Sequence, residues 1–242
     1  MDTSYSIPLV ALSYVVSVVG SFMALLLNRD ALRRTADSRG GLVFLAALCL
    51  GGVGIWSMHF IGMLAFHVHG IATTYNWGIT ALSLVMGVVV VYIGLLIMSR
   101  GEFGFFKLVL AGVFVGGGVA VMHYTGMIAM RMQATIQWNS EIIAISVGIA
   151  VSAAIVALWL AAHVDRVWQI VASALVMGVA VCGMHYTGMM AAALVPNANL
   201  PFIPPAKTGA SVLVLSIIAI DFLVILLAST MAMVEANKRA TL

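Results

Sequence analysis

The sequence predicts an all-α membrane protein of seven transmembrane helices built on a threefold two-helix repeat, and three observations carry that prediction. The first is composition: 63% of the 242 residues are hydrophobic and 8% are charged, against about 25% charged in an ordinary soluble domain. So few polar groups cannot cover a water-facing surface, and lipid must cover much of it. The second is a series of seven apolar stretches of about the 20 residues that a spanning helix needs, at 7–27, 41–66, 78–98, 108–130, 141–162, 169–195 and 209–234. The third is a six-residue motif that recurs at near-constant spacing in the second, fourth and sixth stretches.

The first stretch follows Met1-Asp-Thr-Ser-Tyr-Ser, which has no basic residue, so it reads as a retained helix and not as a cleaved signal peptide. The connections are roughly 6 to 15 residues long, which makes consecutive helices antiparallel neighbours in a compact bundle. Pro8, Pro196, Pro201, Pro204 and Pro205 all fall at or outside helix ends. Seven threaded helices put Arg29, Arg33, Arg34, Arg39, Arg100, Lys107, Arg166, Lys238 and Arg239 on one side and only Arg131 and Lys207 on the other. The basic side is the expected cytoplasmic one, giving an outside N-terminus and a cytoplasmic C-terminus. Trp77 and Trp138 then mark outer borders and Trp168 an inner one. Residues 1–234 form the expected membrane domain, and 235–242 read as the start of a cytoplasmic linker to an output domain. The net charge of +3 suits membrane orientation and not nucleic-acid binding. Two cysteines are too few for a disulfide framework.

Three segments align without gaps: Met58-His59-Phe60-Ile61-Gly62-Met63, Met122-His123-Tyr124-Thr125-Gly126-Met127 and Met184-His185-Tyr186-Thr187-Gly188-Met189. Their histidines are 64 and 62 residues apart. That period holds two helices and two loops, so each copy runs in the same direction and lands at the same depth. Gly52, Gly116 and Gly178 recur six residues before each leading Met, where small residues let backbones approach.

Residues four apart share a helix face, so His59 with Met63, His123 with Met127, and His185 with Met189 each present an imidazole and a thioether one turn apart. Met58, Met122 and Met184 point roughly 100° away from their histidines, either to join a neighbouring copy's ligands or to pack. Imidazole suits Cu, Zn and Fe, and thioether adds a preference for Cu(I), whereas calcium and magnesium want oxygen ligands. Copper fits this donor set best. A single intramembrane histidine reads more readily as a hydrogen-bonding group between helices; three in register with methionines reverse that and favour a metal. Tyr124 and Tyr186 read as hydrogen-bonding supports around that metal or as interfacial aromatic anchors.

The remaining candidates are less specific. His67, with His69 beyond it, either feeds or caps the site or is an exposed loop residue. Cys182, three residues before His185, is an additional soft ligand or a buried inert thiol. Cys49 lies about 15 Å along the helix from His59, outside any shared site. Asp221 is the one acidic residue in the middle of a spanning stretch. It is either protonated and hydrogen-bonded or a link from the site to the cytoplasmic side.

With these three motifs at this spacing, the chain resembles the MHYT family of bacterial integral membrane sensors over nearly its whole length. The first copy departs from the pattern, with Phe60 where Tyr is expected. The resemblance implies a multi-pass protein of the bacterial inner (cytoplasmic) membrane that binds copper. It implies a sensor of a diatomic gas (O2, NO or CO) or of redox state, regulating a cyclic-diguanylate signalling domain fused in cis. The chain itself is then no enzyme, its surroundings are the lipid bilayer, and a homodimer stays open. A copper-handling or transport protein is the second reading, but the chain lacks a midplane polar series and Pro-interrupted helices. A haem oxidoreductase is the third, disfavoured because three equal histidines suit a trigonal metal better than a bis-His haem. A structural anchor that dimerises its output domains is the fourth.

Overall fold

The computed structural model describes residues 2–35, 37–69, 71–200 and 209–240; Pro201, Pro204, Pro205, Lys207 and the last two linker residues lie outside them. Among the described residues are seven helices long and apolar enough to cross a membrane: α1 (Ile7–Leu32), α2 (Gly40–Ala65), α3 (Trp77–Ser99), α4 (Phe105–Ile128), α5 (Ser140–His163), α6 (Val167–Met190) and α7 (Gly209–Ala240). The chain is a multi-pass, all-α membrane protein. Helix starts follow local chemistry. Pro8 occupies the first turn of α1, where a missing N–H costs nothing. The Asn76 side chain accepts from Ile79 N at 3.2 Å, and that of Asn139 accepts from Glu141 N and Ile142 N at 3.0 and 3.2 Å, capping α3 and α5.

Several ends differ from the apolar stretches. The first helix continues to Leu32 because its polar end finds partners inside the bundle: Arg29 pairs with Asp30 at 3.0 Å, and Asn28 Nδ2 donates to Ala161 O at 2.8 Å. The sixth stops at Met190 rather than 195, and the fourth at Ile128 rather than 130, because the chain beyond them turns into strand.

Those strands complete the repeat. β1 (Thr3–Tyr5) pairs antiparallel with β2 (Phe66–Val68), β3 (Thr74–Tyr75) with β4 (Met130–Arg131), and β5 (Ala134–Trp138) with β6 (Ala192–Pro196). Each unit therefore reads strand, helix, motif-bearing helix, strand. The same backbone bond closes all three: Ser6 N to Ala65 O at 2.9 Å, Asn76 N to Ala129 O at 2.8 Å, and Asn139 N to Ala191 O at 2.9 Å.

Helices α1 to α6 close into a ring in which every helix packs on its two sequence neighbours and α6 returns to α1. The seventh helix stands outside, against α1 and α2. Consequently α2 is the most enclosed span: 72% of its most apolar stretch is buried, against 22–44% for the other six.

One irregularity breaks the threefold symmetry. Within α2, residues Leu48–Ser57 form a π-helical segment, which accommodates one extra residue per turn. Its effect is visible at the glycines. A Cβ at Gly116 would lie 2.4 Å from Val151 Cα, and one at Gly178 would lie 2.7 Å from Val18 Cγ2, but at Gly52 the nearest atom is 3.7 Å away. In the first unit the close approach moves one residue back, to Gly51, whose Cβ would meet Gly87 O at 2.5 Å. The expected role of Gly52 thus passes to Gly51, because the π turn shifts the register.

Candidate metal centre

Six residues before the end of α2 and five before the ends of α4 and α6 stand His59, His123 and His185. The ring closure brings all three to one point on its axis, each about 1% exposed. His59 Nδ1 lies 3.0 Å from His185 Nδ1 and 3.1 Å from His123 Nδ1, and the third side of the triangle is 3.4 Å. A point equidistant from the three nitrogens is about 1.8 Å from each, close to the roughly 2.0 Å of an imidazole–metal bond.

The triangle is also unsatisfied on its own terms. An imidazole Nδ1 is either a donor or an acceptor, never both. Three such atoms cannot satisfy all three sides, so at least one side sets lone pair against lone pair or proton against proton. A cation at the centre, met by three lone pairs, resolves every side at once. The donor set and its geometry fit a trigonal metal.

The motif glycines hold the rings in place. A Cβ on Gly62 would lie 2.3 Å from His185 Nε2, one on Gly126 2.2 Å from His59 Nε2, and one on Gly188 2.3 Å from His123 Nε2. Each motif's glycine is the bed of another motif's histidine, cyclically around the axis. The Nε2 atoms have no hydrogen-bond partner among the described residues, so packing, not the usual carboxylate or carbonyl, fixes ring orientation.

The aromatic position of each motif lies edge-on to its own histidine, with centroids 4.7–4.8 Å apart. The outer ends of Tyr124 and Tyr186 each meet a serine at the seventh position of the next helix in the ring. Ser13 and Ser146 donate to Val10 O and Ile143 O at 2.7 and 2.9 Å, so Tyr186 and Tyr124 must donate to them, at 2.9 and 2.5 Å. In the first unit Ser83 donates to Thr80 O at 2.7 Å and accepts from Trp56 Nε1 at 3.0 Å. The indole supplies the donor that Phe60 lacks, which explains the departure. The tyrosine hydroxyls therefore bond serines and not the imidazoles. Outside the span, burial raises the Tyr5 phenol, and the neighbouring Tyr186 pushes the same way.

All six motif methionines are buried. Met58, Met122 and Met184 share a cavity wall with the histidines, and Met63, Met127 and Met189 do not. His67 is an exposed β2 residue opposite Ser4, apart from the triad. Cys182 lies against Ser13 and Tyr186. Asp221 on α7 accepts from Ser57 Oγ at 2.6 Å, and Ser57 directly precedes Met58. The serines and Trp56 escaped sequence reasoning, although a serine at the same turn of α1, α3 and α5 was a usable signal.

A family model described as a bacterial signalling protein N-terminal repeat, MHYT, matches residues 52–111 and 116–174. Both matches start at the glycines that precede the first two motifs. The cyclic di-GMP phosphodiesterase NbdA of Pseudomonas aeruginosa is 38% identical over 210 residues, 83% of this chain and 26% of that protein. The bifunctional diguanylate cyclase/cyclic di-GMP phosphodiesterase MucR of the same organism is 39% identical over 196 residues, 78% of this chain and 28% of that protein. The signaling protein YkoW of Bacillus subtilis is 29% identical over 199 residues, 79% of this chain and 24% of that protein. The chain spans about a quarter of the length of these relatives. No solved structure matches it.

Proposed function

We propose a copper-binding sensor function for this chain, which belongs to the MHYT family of bacterial signalling proteins. The observation that carries the proposal is the triangle of buried imidazole nitrogens, which no internal hydrogen-bonding pattern satisfies. His59, His123 and His185 hold the metal, with the thioethers of Met58, Met122 and Met184 beside them on the same wall. The trailing Met63, Met127 and Met189 keep the sequence-based proposal of soft ligands, one turn from each histidine. Copper there supplies a one-electron redox centre with an affinity for small diatomic ligands. Metal analysis of the purified protein, with and without the histidines, tests the proposal. Copper that disappears with them supports it; stoichiometric zinc in preference to copper opposes it.

In this reading the stimulus is a diatomic gas or a redox change in a bacterial inner membrane. The output is a cyclic-diguanylate signalling domain in cis, a function that the relatives' names suggest. The last helix is the outgoing element. It stands outside the ring, and Asp221 ties it to Ser57, the residue before the first motif. Ser57→Ala is expected to lower thermal stability by about 1–3 kcal/mol, since it strands a half-buried carboxyl, while leaving copper content within about twofold. Calorimetry and metal analysis on one preparation check both. Copper lost with Ser57 would mean that the bond serves the triad and not the connection to α7.

Orientation rests on the nine basic residues at one face against two at the other. Reporter fusions are expected to place the loop between α2 and α3 outside and Arg100–Lys107 inside. A cytoplasmic α2–α3 loop would invert both the site and the output.

A further inference from the structure

Between the triad and the basic end of the bundle lies an apolar cavity of about 550 Å³, open on one side. A diatomic ligand needs nothing of the kind: even a water molecule's share of its liquid is about 30 Å³. The volume belongs instead to the roughly 300–1,000 Å³ class of ligand pockets. Along α5 the lining runs from Ile145 to Ala161, about 24 Å at the helical rise. Gly148, Ser152, Ala153 and Ala157 keep that wall thin. Such a space is long and suits an extended chain.

Two further features define what it takes. The cavity reaches the outer surface between α5 and α6, because Ile145, Val156 and Val176 line it and are also 57%, 46% and 56% exposed. That surface lies within the spans, so the opening faces lipid. At the far end stands Asn28, 4% exposed. Its Nδ2 is used by Ala161 O, and its Oδ1, on a residue lining the cavity, has no partner among the described residues. A buried acceptor left unpaired is costly.

We propose that this cavity binds a membrane-dissolved, single-chain lipid alcohol. The ligand enters sideways between α5 and α6, donates its hydroxyl to Asn28 Oδ1 and lays its chain along α5 toward the triad. The methionines at that end, Met58, Met122 and Met184, give the chain terminus an adaptable apolar wall. The site stands independently of the metal.

The test uses a long-chain primary alcohol carrying a diazirine, photolysed with the full chain in nanodiscs and mapped by peptide mass spectrometry. Labels are expected on cavity-lining residues of α1, α5 and α6. Gly148 lines the cavity on its exposed side and a Cβ there meets nothing within 4 Å, so Gly148→Trp has room to cover the entrance and should cut labelling at least tenfold. Ser152→Phe on the same wall gives a second block should that variant fail to fold. Asn28→Leu should reduce labelling roughly three- to tenfold, the range of one net hydrogen bond. It should also abolish the preference over a matching alkane probe. Labels confined to the outer surface, or undiminished in the blocked variants, overturn the site. Equal labelling of the native protein by alcohol and alkane overturns the hydroxyl. Copper is counted in parallel, so that a protein that labels without metal defeats the copper reading alone.

Discussion

Gly126→Ala is expected to lower copper occupancy at least tenfold without removing a single ligand. The new methyl would sit 2.2 Å from His59 Nε2, a separation that side-chain carbons do not tolerate. The imidazole can move away only by leaving the triangle. Its opposite side already lies 3.0 and 3.1 Å from the nitrogens of His185 and His123, in a site about 1% exposed. Overpacking of this kind costs about 1–3 kcal/mol, so the melting temperature should fall while the helical content stays. Gly62→Ala and Gly188→Ala should behave alike, through His185 and His123. The control is Gly117→Ala on the same helix, where a Cβ meets nothing within 4 Å. It should leave copper unchanged and gain up to about 1 kcal/mol of helix propensity. Full copper in Gly126→Ala would mean that the rings are not held where the metal needs them.

His123→Ala is expected to abolish stoichiometric copper, and His59→Ala and His185→Ala to match it. Each removes one of three ligands and leaves two rings whose mutual distances were set by the third. Met→Leu at 58, 122 or 184 keeps side-chain volume, costs less than about 1.5 kcal/mol in packing, and removes only sulfur. Those variants should retain most of the copper, with a raised preference for the oxidised metal if the thioethers act as soft ligands. The trailing methionines lie off the shared wall, and Met63→Leu, Met127→Leu and Met189→Leu should have the smaller effect on oxidation state. Inductively coupled plasma mass spectrometry gives the stoichiometry and a chelator titration the oxidation state. Copper that persists in all three alanine variants would return the histidines to the role of hydrogen-bonding groups between helices.

Much of this architecture was legible in the sequence because spanning helices need long apolar runs and because the motif repeats at constant depth. Equal depth and equal direction are what bring His59, His123 and His185 to one point. The strand pairs were not legible. They run for two to five residues, too short for an alternating pattern, and their pairing follows from how the helices meet. The π segment of α2 was also hidden: the repeat points to Gly52, and only packing against Gly87 selects Gly51. Phe60 looked like a defect in the repeat until Trp56 was found on Ser83. The motif glycines, read as repeat markers, are the beds of histidines two helices away, a relation that no local pattern encodes.

The most direct test is X-ray absorption on protein purified from its native membrane without added metal. The expected result is a copper edge with three nitrogen neighbours at about 2.0 Å, lost in the Gly126→Ala and His123→Ala variants. A spectrum dominated by zinc, or by copper without imidazole scattering, would contradict it.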